Sequence, residues 1–302
     1  MHHEPVMLME VLSVLPLRPG AAVVDGTLGL AGHAREMAKR IAPGGWILGL
    51  DWDEEMLKEA GSRLEGIEGV ETTLRKADYR ELPEVLSQEA ALRHRAAQAD
   101  AILLDFGLNS AQIDDPNRGI SFREDGPLDM RMDRSKGESA SSLLNRLSPI
   151  EIERILEEYG DENWAKRIAQ VIVDRRKNKP LRTTQDLVDC VLAAVPPSMR
   201  EKRIHPATRT FQAVRIAVNH ELDDLQETIE SIANMLAPDG VLCVLSYHSG
   251  EDRAAKRAMR DLAKIGFDEI IKKPLVPTPE ELAVNPKSRS AKLRAIRRQS
   301  IS

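Results

Sequence analysis

The amino-acid sequence predicts an α/β fold, a doubly wound and mostly parallel seven-stranded sheet with a helical insertion after the fourth strand. Three observations predict it. Short apolar runs alternate with segments of helical period, and the runs end in the acids Asp25, Asp51, Asp78 and Asp105. That alternation stops after Asp105, and residues from about 110 to 200 carry helical periods with no strand pattern. A further apolar run, Gly240 to Ser246, then resumes the sheet.

Taken in order, residues 21 to 29 form an apolar run closed by an acid and two glycines, and Ala34, Met37, Ala38 and Ile41 follow at helical spacing before Pro43-Gly44-Gly45. This is strand, tight turn, helix and stop. Trp46 to Leu50 is a second strand, a helix runs from about Glu54 to Leu64, and Val70 to Ala77 is a third strand. Ala101 to Asp105 is almost wholly apolar, as a central parallel strand buried on both faces requires. Residues 107 to 135 are rich in Gly, Asp, Asn and Pro and read as a long structured loop. Ser148-Pro149-Ile150-Glu151 then combines a cap, a first-turn proline and a capping-box glutamate ahead of Ile152, Ile155, Leu156 and Tyr159. Further helices are expected around Trp164 to Ile172 and around Leu187 to Leu192, the second opened by Thr183 and Asp186. Pro206 opens a helix carrying Phe211, Val214 and Val218, and Leu222 to Leu236 marks another. After the fifth strand come a basic helix from Glu251 to about Lys264 and two short strands, Phe267 to Ile271 and Ala291 to Ile296.

Composition narrows the class of protein. A chain of 302 residues can hold a large core and a second, smaller unit. No apolar run approaches the roughly 18 to 20 residues that cross a membrane, and no secretory signal opens the sequence, so a cytoplasmic location is expected. Cys190 and Cys243 both lie in apolar contexts, which excludes a disulfide scaffold and a cysteine zinc site; no metal is expected. The net charge of −5, from 43 basic and 48 acidic residues, says nothing by itself about nucleic acid.

Ligands of open α/β sheets bind beyond the carboxyl ends of the strands, where the four acids stand. The first turn, Asp25-Gly26-Thr27-Leu28-Gly29-Leu30-Ala31-Gly32-His33, lacks the G-x-G-x-x-G spacing and any phosphate-binding lysine. A nucleoside with a zwitterionic tail therefore fits better than a pyrophosphate, although glycines and a second-strand acid alone leave NAD and S-adenosylmethionine both open. Asp51 can accept two ribose hydroxyls. Asp78 can hold an adenine amino group or simply cap the next helix, and Tyr79 can pack on the base. Asp105 ends the strand where a reacting group would sit, or takes backbone hydrogen bonds from its own loop. Asn109 and Gln112 can read polar edges or cap loops, and His33 can be a ligand or a helix-start residue.

At these residues the chain resembles the bacterial family of small-subunit ribosomal RNA methyltransferases that act on the exocyclic N4 of a decoding-region cytidine. The resemblance runs nearly end to end. Its blocks are His3-Glu4-Pro5-Val6, Asp25 to Gly29 with Gly32-His33, Leu104-Asp105, Asp115 through Phe122, Asp125-Gly126-Pro127-Leu128-Asp129-Met130-Arg131-Met132-Asp133, His205 through Ile216, and Ser246-Tyr247-His248-Ser249 with Glu251-Asp252-Arg253. By position it implies S-adenosyl-L-methionine as cofactor, held by Ala31, Gly32, His33, Asp51, Tyr79, Asp105 and Gln112. It implies 16S ribosomal RNA in the small subunit as partner, and a helical domain after the fourth strand. Ala31 stands where the family has glycine, Leu30 where a small or polar residue is common, Asn109 and Ala111 where serine and proline are usual, and Gly250 where leucine is. These departures leave open a paralog with another RNA acceptor, or a noncatalytic RNA-binding assembly protein.

Methyl transfer from a sulfonium is an in-line displacement that chiefly requires alignment. Asp105 is the expected acceptor of an N4 proton, with Asn109 and His248 as further candidates. Basic residues gather at Arg175, Arg176, Lys177 and Lys179, and again at Arg203 and Arg209, and suit phosphate contacts. The expected domains are 1–110 with 205–302 for S-adenosylmethionine-dependent methyl transfer and 111–204 for substrate recognition. Monomer and homodimer stay open.

Overall fold

The computed structural model describes residues 5–108, 113, 115–201 and 204–300. Two compact units divide the chain: Met1–Gly107 with Asp224–Ser302, and Leu108–Asp223. Among the described residues no helix is long and apolar enough to cross a membrane.

The first unit contains β1 Ala22–Asp25, β2 Gly45–Asp51, β3 Val70–Lys76, β4 Ala99–Asp105, β5 Leu236–Ser246, β6 Phe267–Glu269 and β7 Lys292–Arg298. They form one sheet in the order β3-β2-β1-β4-β5-β7-β6. Strands β1 to β5 pair in parallel, and β7 runs antiparallel to both of its neighbours. The chain winds outward through β2 and β3, then crosses to β4 on the other side of β1. The switch point therefore lies at β1 and β4, and their carboxyl ends open the crevice where such folds bind ligands. Ala101 to Leu104 are completely buried, which is why β4 reads as an unbroken apolar run.

The helices of this unit include α1 Leu8–Val14, α2 Gly32–Ile41, α3 Glu54–Leu64, α4 Leu82–Leu92, and, after the second unit, α10 Leu225–Ala233, α11 Ser249–Leu262 and α12 Pro279–Val284. On α2 the residues Ala34, Met37, Ala38 and Ile41 face the core and are fully buried; each large one contributes about 1.5–3 kcal/mol. Asp53 starts α3 by accepting the N–H groups of Glu55 and Met56. The periodic run ending at Leu236 is not one helix. Helix α10 stops at Ala233, because Leu236 already pairs with Ala99 at the start of β5.

The second unit contains α5 Ala140–Arg146, α6 Pro149–Gly160, α7 Ala165–Arg176, α8 Thr184–Ala194 and α9 Thr208–Asn219. Its core joins Leu144, Ile152, Leu156, Ile168, Ile172, Leu187, Val191, Phe211 and Val214. Ser148 with Glu151, and Thr183 with Asp186, close reciprocal capping boxes at α6 and α8. The expected return to the sheet domain at residue 205 differs from this division, since α9 packs in the helical core and the unit runs to Asp223. Gly160 explains the closeness of α6 and α9: a Cβ there would lie 2.8 Å from the Arg209 carbonyl oxygen. The block from Asp125 to Asp133 is wired inside this unit. Gly126 and Thr184 exchange hydrogen bonds, Leu128 N–H donates to the Arg182 carbonyl, and Asn219 bonds Met130 and Met132.

Candidate active site

Three carboxylates converge at the ends of adjacent strands. Asp25 pairs in register with Gly49 and Leu103, so it lies two residues deeper than Asp51 and Asp105 and is almost completely buried. Burial, with the charges of Asp105 and Asp51 adding to it, pushes its carboxyl up to about 7 against a hydrogen bond from the Thr27 N–H. Burial likewise pushes Asp51 up to about 6, against N–H donors of Asp53 and Gly29. Asp51 Oδ2 accepts the Gly29 N–H and Oδ1 the Asp53 N–H, each at 2.8 Å. These two bonds fix the carboxylate, and each oxygen retains a lone pair for a ribose hydroxyl. Asp105 Oδ1 accepts the Gly107 N–H at 2.9 Å, while the Asp105 N–H donates to Thr27 Oγ1 at 2.6 Å.

The turn beside these acids is a cradle of close contacts. Ala31 has φ 58°, a left-handed conformation that costs an alanine about 1 kcal/mol. Its methyl group is completely buried, which offsets much of that cost. Gly32 is required for a different reason, because a Cβ there would lie 2.7 Å from Pro5 Cγ. His33 holds the same amino-terminal segment: its Nε2 lies 3.0 Å from the Val6 carbonyl oxygen. A carbonyl only accepts, so this nitrogen carries the proton, and Nδ1 stands 3.7 Å from Asp105 Oδ2. His33 thus ties the amino-terminal segment to the turn, with its second ring nitrogen near the carboxylate at the end of β4.

Tyr79 opens a short 3₁₀ turn, Tyr79–Glu81, with its ring 5.3 Å from that of Phe106 and the Arg80 guanidinium 4.8 Å away. Asp78 caps this turn, and both of its oxygens face Arg80 at 3.1 to 3.2 Å. Capping is what the structure shows Asp78 doing. His248 caps α11, its Nδ1 accepting the Glu251 N–H at 3.5 Å and its Nε2 lying 3.1 Å from Glu251 Oε1. The Glu251 carboxylate in turn accepts the Tyr247 N–H at 2.7 Å. This cap sets the Tyr247 ring against Gly107, where a Cβ would lie 2.8 Å from the ring and 2.9 Å from Asp105 Oδ1. Burial, with Asp105 beside it, holds the Tyr247 phenol well above its ordinary range.

The structure thus brings Ala31, Gly32, His33, Asp51 and Asp105 around one crevice and engages His248 as a cap. Asn109, Gln112 and Arg203 lie outside the described residues. Thr27, Phe106 and Tyr247 were not singled out from sequence. Tyr247 sits inside a recognised block, but only folding sets its ring beside Asp105.

In the helical unit, the basic run is less open than its sequence implies. Arg175 bonds Asp186 at 2.6 Å and Asp189 at 3.4 Å, and Arg176 donates to the Leu144 carbonyl at 2.5 Å. Lys177 pairs with Asp174 at 2.8 Å and Lys179 with Asp186 at 3.2 Å, but these side chains stay 66% and 69% exposed. Arg209 meets Glu201 at 2.8 Å.

Comparison with known proteins follows the same lines. The model of the MraW methylase family matches residues 1–299. The ribosomal RNA small subunit methyltransferase H of Syntrophobacter fumaroxidans is 40% identical over 317 residues, covering 100% of this chain and 98% of that protein. The protein of the same name from Symbiobacterium thermophilum is 41% identical over 311 residues, covering 98% of this chain and 96% of its own. That of Pelobacter propionicus is 43% identical over 311 residues and 97% of each chain.

Proposed function

The chain belongs to the MraW methylase family, and on that premise we propose that it transfers a methyl group from S-adenosylmethionine to the exocyclic N4 of a cytidine in 16S ribosomal RNA. The observation that carries the reading is the cluster of Asp25, Asp51 and Asp105 at the switch point, beside a turn shaped by Gly32 and His33. When bound, the cofactor supplies an electrophilic methyl group on a cationic sulfonium. Three mutually repelling carboxylates in a partly dry crevice favour such a cation.

Asp51, fixed by the Gly29 and Asp53 N–H groups, accepts the ribose hydroxyls. Tyr79 and Phe106 offer ring faces for the adenine. Asp105 accepts one N4 proton of the cytosine, which orients the amine and leaves its nitrogen lone pair toward the methyl group. The proton passes to the Asp105 carboxylate and on to water once the new C–N bond has made the nitrogen acidic, so orientation matters more than a strong base. Gly107, Thr27 and Tyr247 hold Asp105 in place. The helical unit, Leu108–Asp223, presents the RNA.

The test is Asp105→Ala, assayed on small subunits from cells that lack the mark, with N4-methylcytidine read by mass spectrometry. We expect kcat to fall at least about 100-fold, the order that misalignment of reacting groups costs, with cofactor affinity changed only a few-fold. Wild-type turnover in this variant would remove Asp105 from the reaction. Absence of N4-methylcytidine from the wild-type reaction would overturn the substrate.

A further inference from the structure

The helical unit carries an open-sided cavity of about 380 Å³ between the α6–α7 turn, the end of α8 and the start of α9. Trp164, Val195, Ile204 and His205 supply apolar and aromatic wall, and Glu162 supplies a carboxylate. Glu162 is only 7% exposed. Its Oε1 accepts the Trp164 N–H at 3.0 Å, which leaves Oε2 as a further acceptor. Arg209 lines the same cavity.

We propose that this cavity receives one unstacked nucleotide of the RNA substrate, with the base against Trp164 and an exocyclic amino group donating to Glu162. The inference rests on the RNA substrate proposed above and adds a second base contact, separate from the cytidine that is methylated. Single-stranded RNA is commonly read this way, by aromatic stacking combined with hydrogen bonds to a base edge. The volume suits a nucleotide better than one extended side chain. Glu201 lines the cavity with Glu162 and pairs with Arg209, so charge favours neither occupant; the Trp164 ring beside a carboxylate acceptor is what suits a base.

Glu162 also predicts which bases enter. Cytosine, adenine and guanine each carry an amino group. Uracil does not, and its N3–H lies between two carbonyl oxygens that would face the carboxylate.

The experiment uses the full chain with its cofactor site saturated by S-adenosylhomocysteine. CMP, AMP, GMP and UMP are titrated in equilibrium dialysis against wild type, Glu162→Gln, Trp164→Ala and Trp164→Phe, and each variant's KM for small subunits is measured beside its cofactor affinity and melting temperature. We expect at least one amino-bearing nucleotide to bind tenfold or more tightly than UMP, with that preference lost in Glu162→Gln. Trp164→Ala should raise KM at least fivefold, and Trp164→Phe should restore most of it through its ring, which separates stacking from a folding defect. Nucleotide binding indifferent to both positions, or an unchanged KM in folded Glu162→Gln and Trp164→Ala, would overturn the proposal. So would Glu162-dependent capture of a lysine-rich peptide with no nucleotide binding. If wild type methylates N4 while these variants behave as wild type, the pocket assignment fails and the enzymatic reading stands; if wild type leaves the RNA unmethylated, the enzymatic reading fails first.

Discussion

Charge is arranged in opposite ways in the two units. In the helical unit Asp186 is buried, yet Arg175 lies 2.6 Å from it. Burial alone would raise its carboxyl, but the N–H groups of Arg182 and Thr183 and the Lys179 ammonium outweigh burial and hold it below the usual carboxylate range. Asp129 with Arg131, and Arg215 with Glu221, are paired in the same manner. At the ends of β1, β2 and β4 the carboxylates face one another instead, and Asp25 and Asp51 are pushed up to about 7 and 6. Satisfied charges hold a scaffold together, whereas unsatisfied ones wait for a ligand of opposite sign. That difference separates the proposed reaction centre from its support better than the count of acidic or basic residues does.

The contrast can be broken most directly at Asp51. Asp51→Ala should weaken S-adenosylmethionine binding tenfold or more, since a hydrogen bond to a charged group is worth about 1.5–3 kcal/mol. An unchanged dissociation constant by calorimetry, in a folded variant, would mean that its bonds to Gly29 and Asp53 are its whole role.

Arg175 and the neighbouring lysines sharpen the other side. Removing Arg175 should lower stability by about 1–3 kcal/mol, because Asp186 then keeps fewer donors. Lys177→Ala with Lys179→Ala should lower it by less, because the Lys179 side chain is 69% exposed and solvent weakens its pair with Asp186. If both ammonium groups reach phosphate, that pair should reduce the salt slope of RNA binding by about 1.4–1.8. A salt series in which the double variant matches wild type would assign these lysines to intramolecular pairing alone.

A pH series tests whether Asp25 is unsatisfied without ligand. Its folded pKa of about 7 lies above the value near 3.9 of an unfolded aspartate. Between those values the folded chain binds a proton that the unfolded chain does not, so this contribution to stability is present at low pH and lost as pH rises through about 7. Asp25→Asn should therefore flatten the fall in melting temperature of the ligand-free protein between pH 5 and 8, and cofactor should restore more stability to wild type at pH 8 than at pH 5. Parallel melting curves for the two proteins would contradict the raised Asp25 carboxyl.

The smallest effect is expected at Ala31. Glycine relieves about 1 kcal/mol of left-handed strain but deletes a buried methyl group worth about 0.8 kcal/mol. Stability and cofactor affinity of Ala31→Gly should stay close to wild type. A tenfold loss of affinity would show that the methyl group itself shapes the site.

Sequence by itself determined the sheet and its acids. Period-two and period-3.6 patterns, with acids ending the apolar runs, place β1 to β5 and α2, α3 and α6 because those patterns follow from burying one face or both. The short helices α1, α5 and α12 escaped that reading, since six or seven residues give about two turns of period. Other features exist only after folding. Asp25 and Asp51 are 26 positions apart in sequence, and neither shows that one strand ends deeper than its neighbour; register decides their burial and hence their protonation. The basic run at Arg175 reads as a free cluster until α8 brings Asp186 against it. Glu162 reads as one glutamate among many, and only the packing of α6 to α9 encloses it beside Trp164. Local pattern is set by neighbours along the chain, whereas electrostatic state is set by neighbours in space, and so the elements were legible from sequence while the charge states of the site were not.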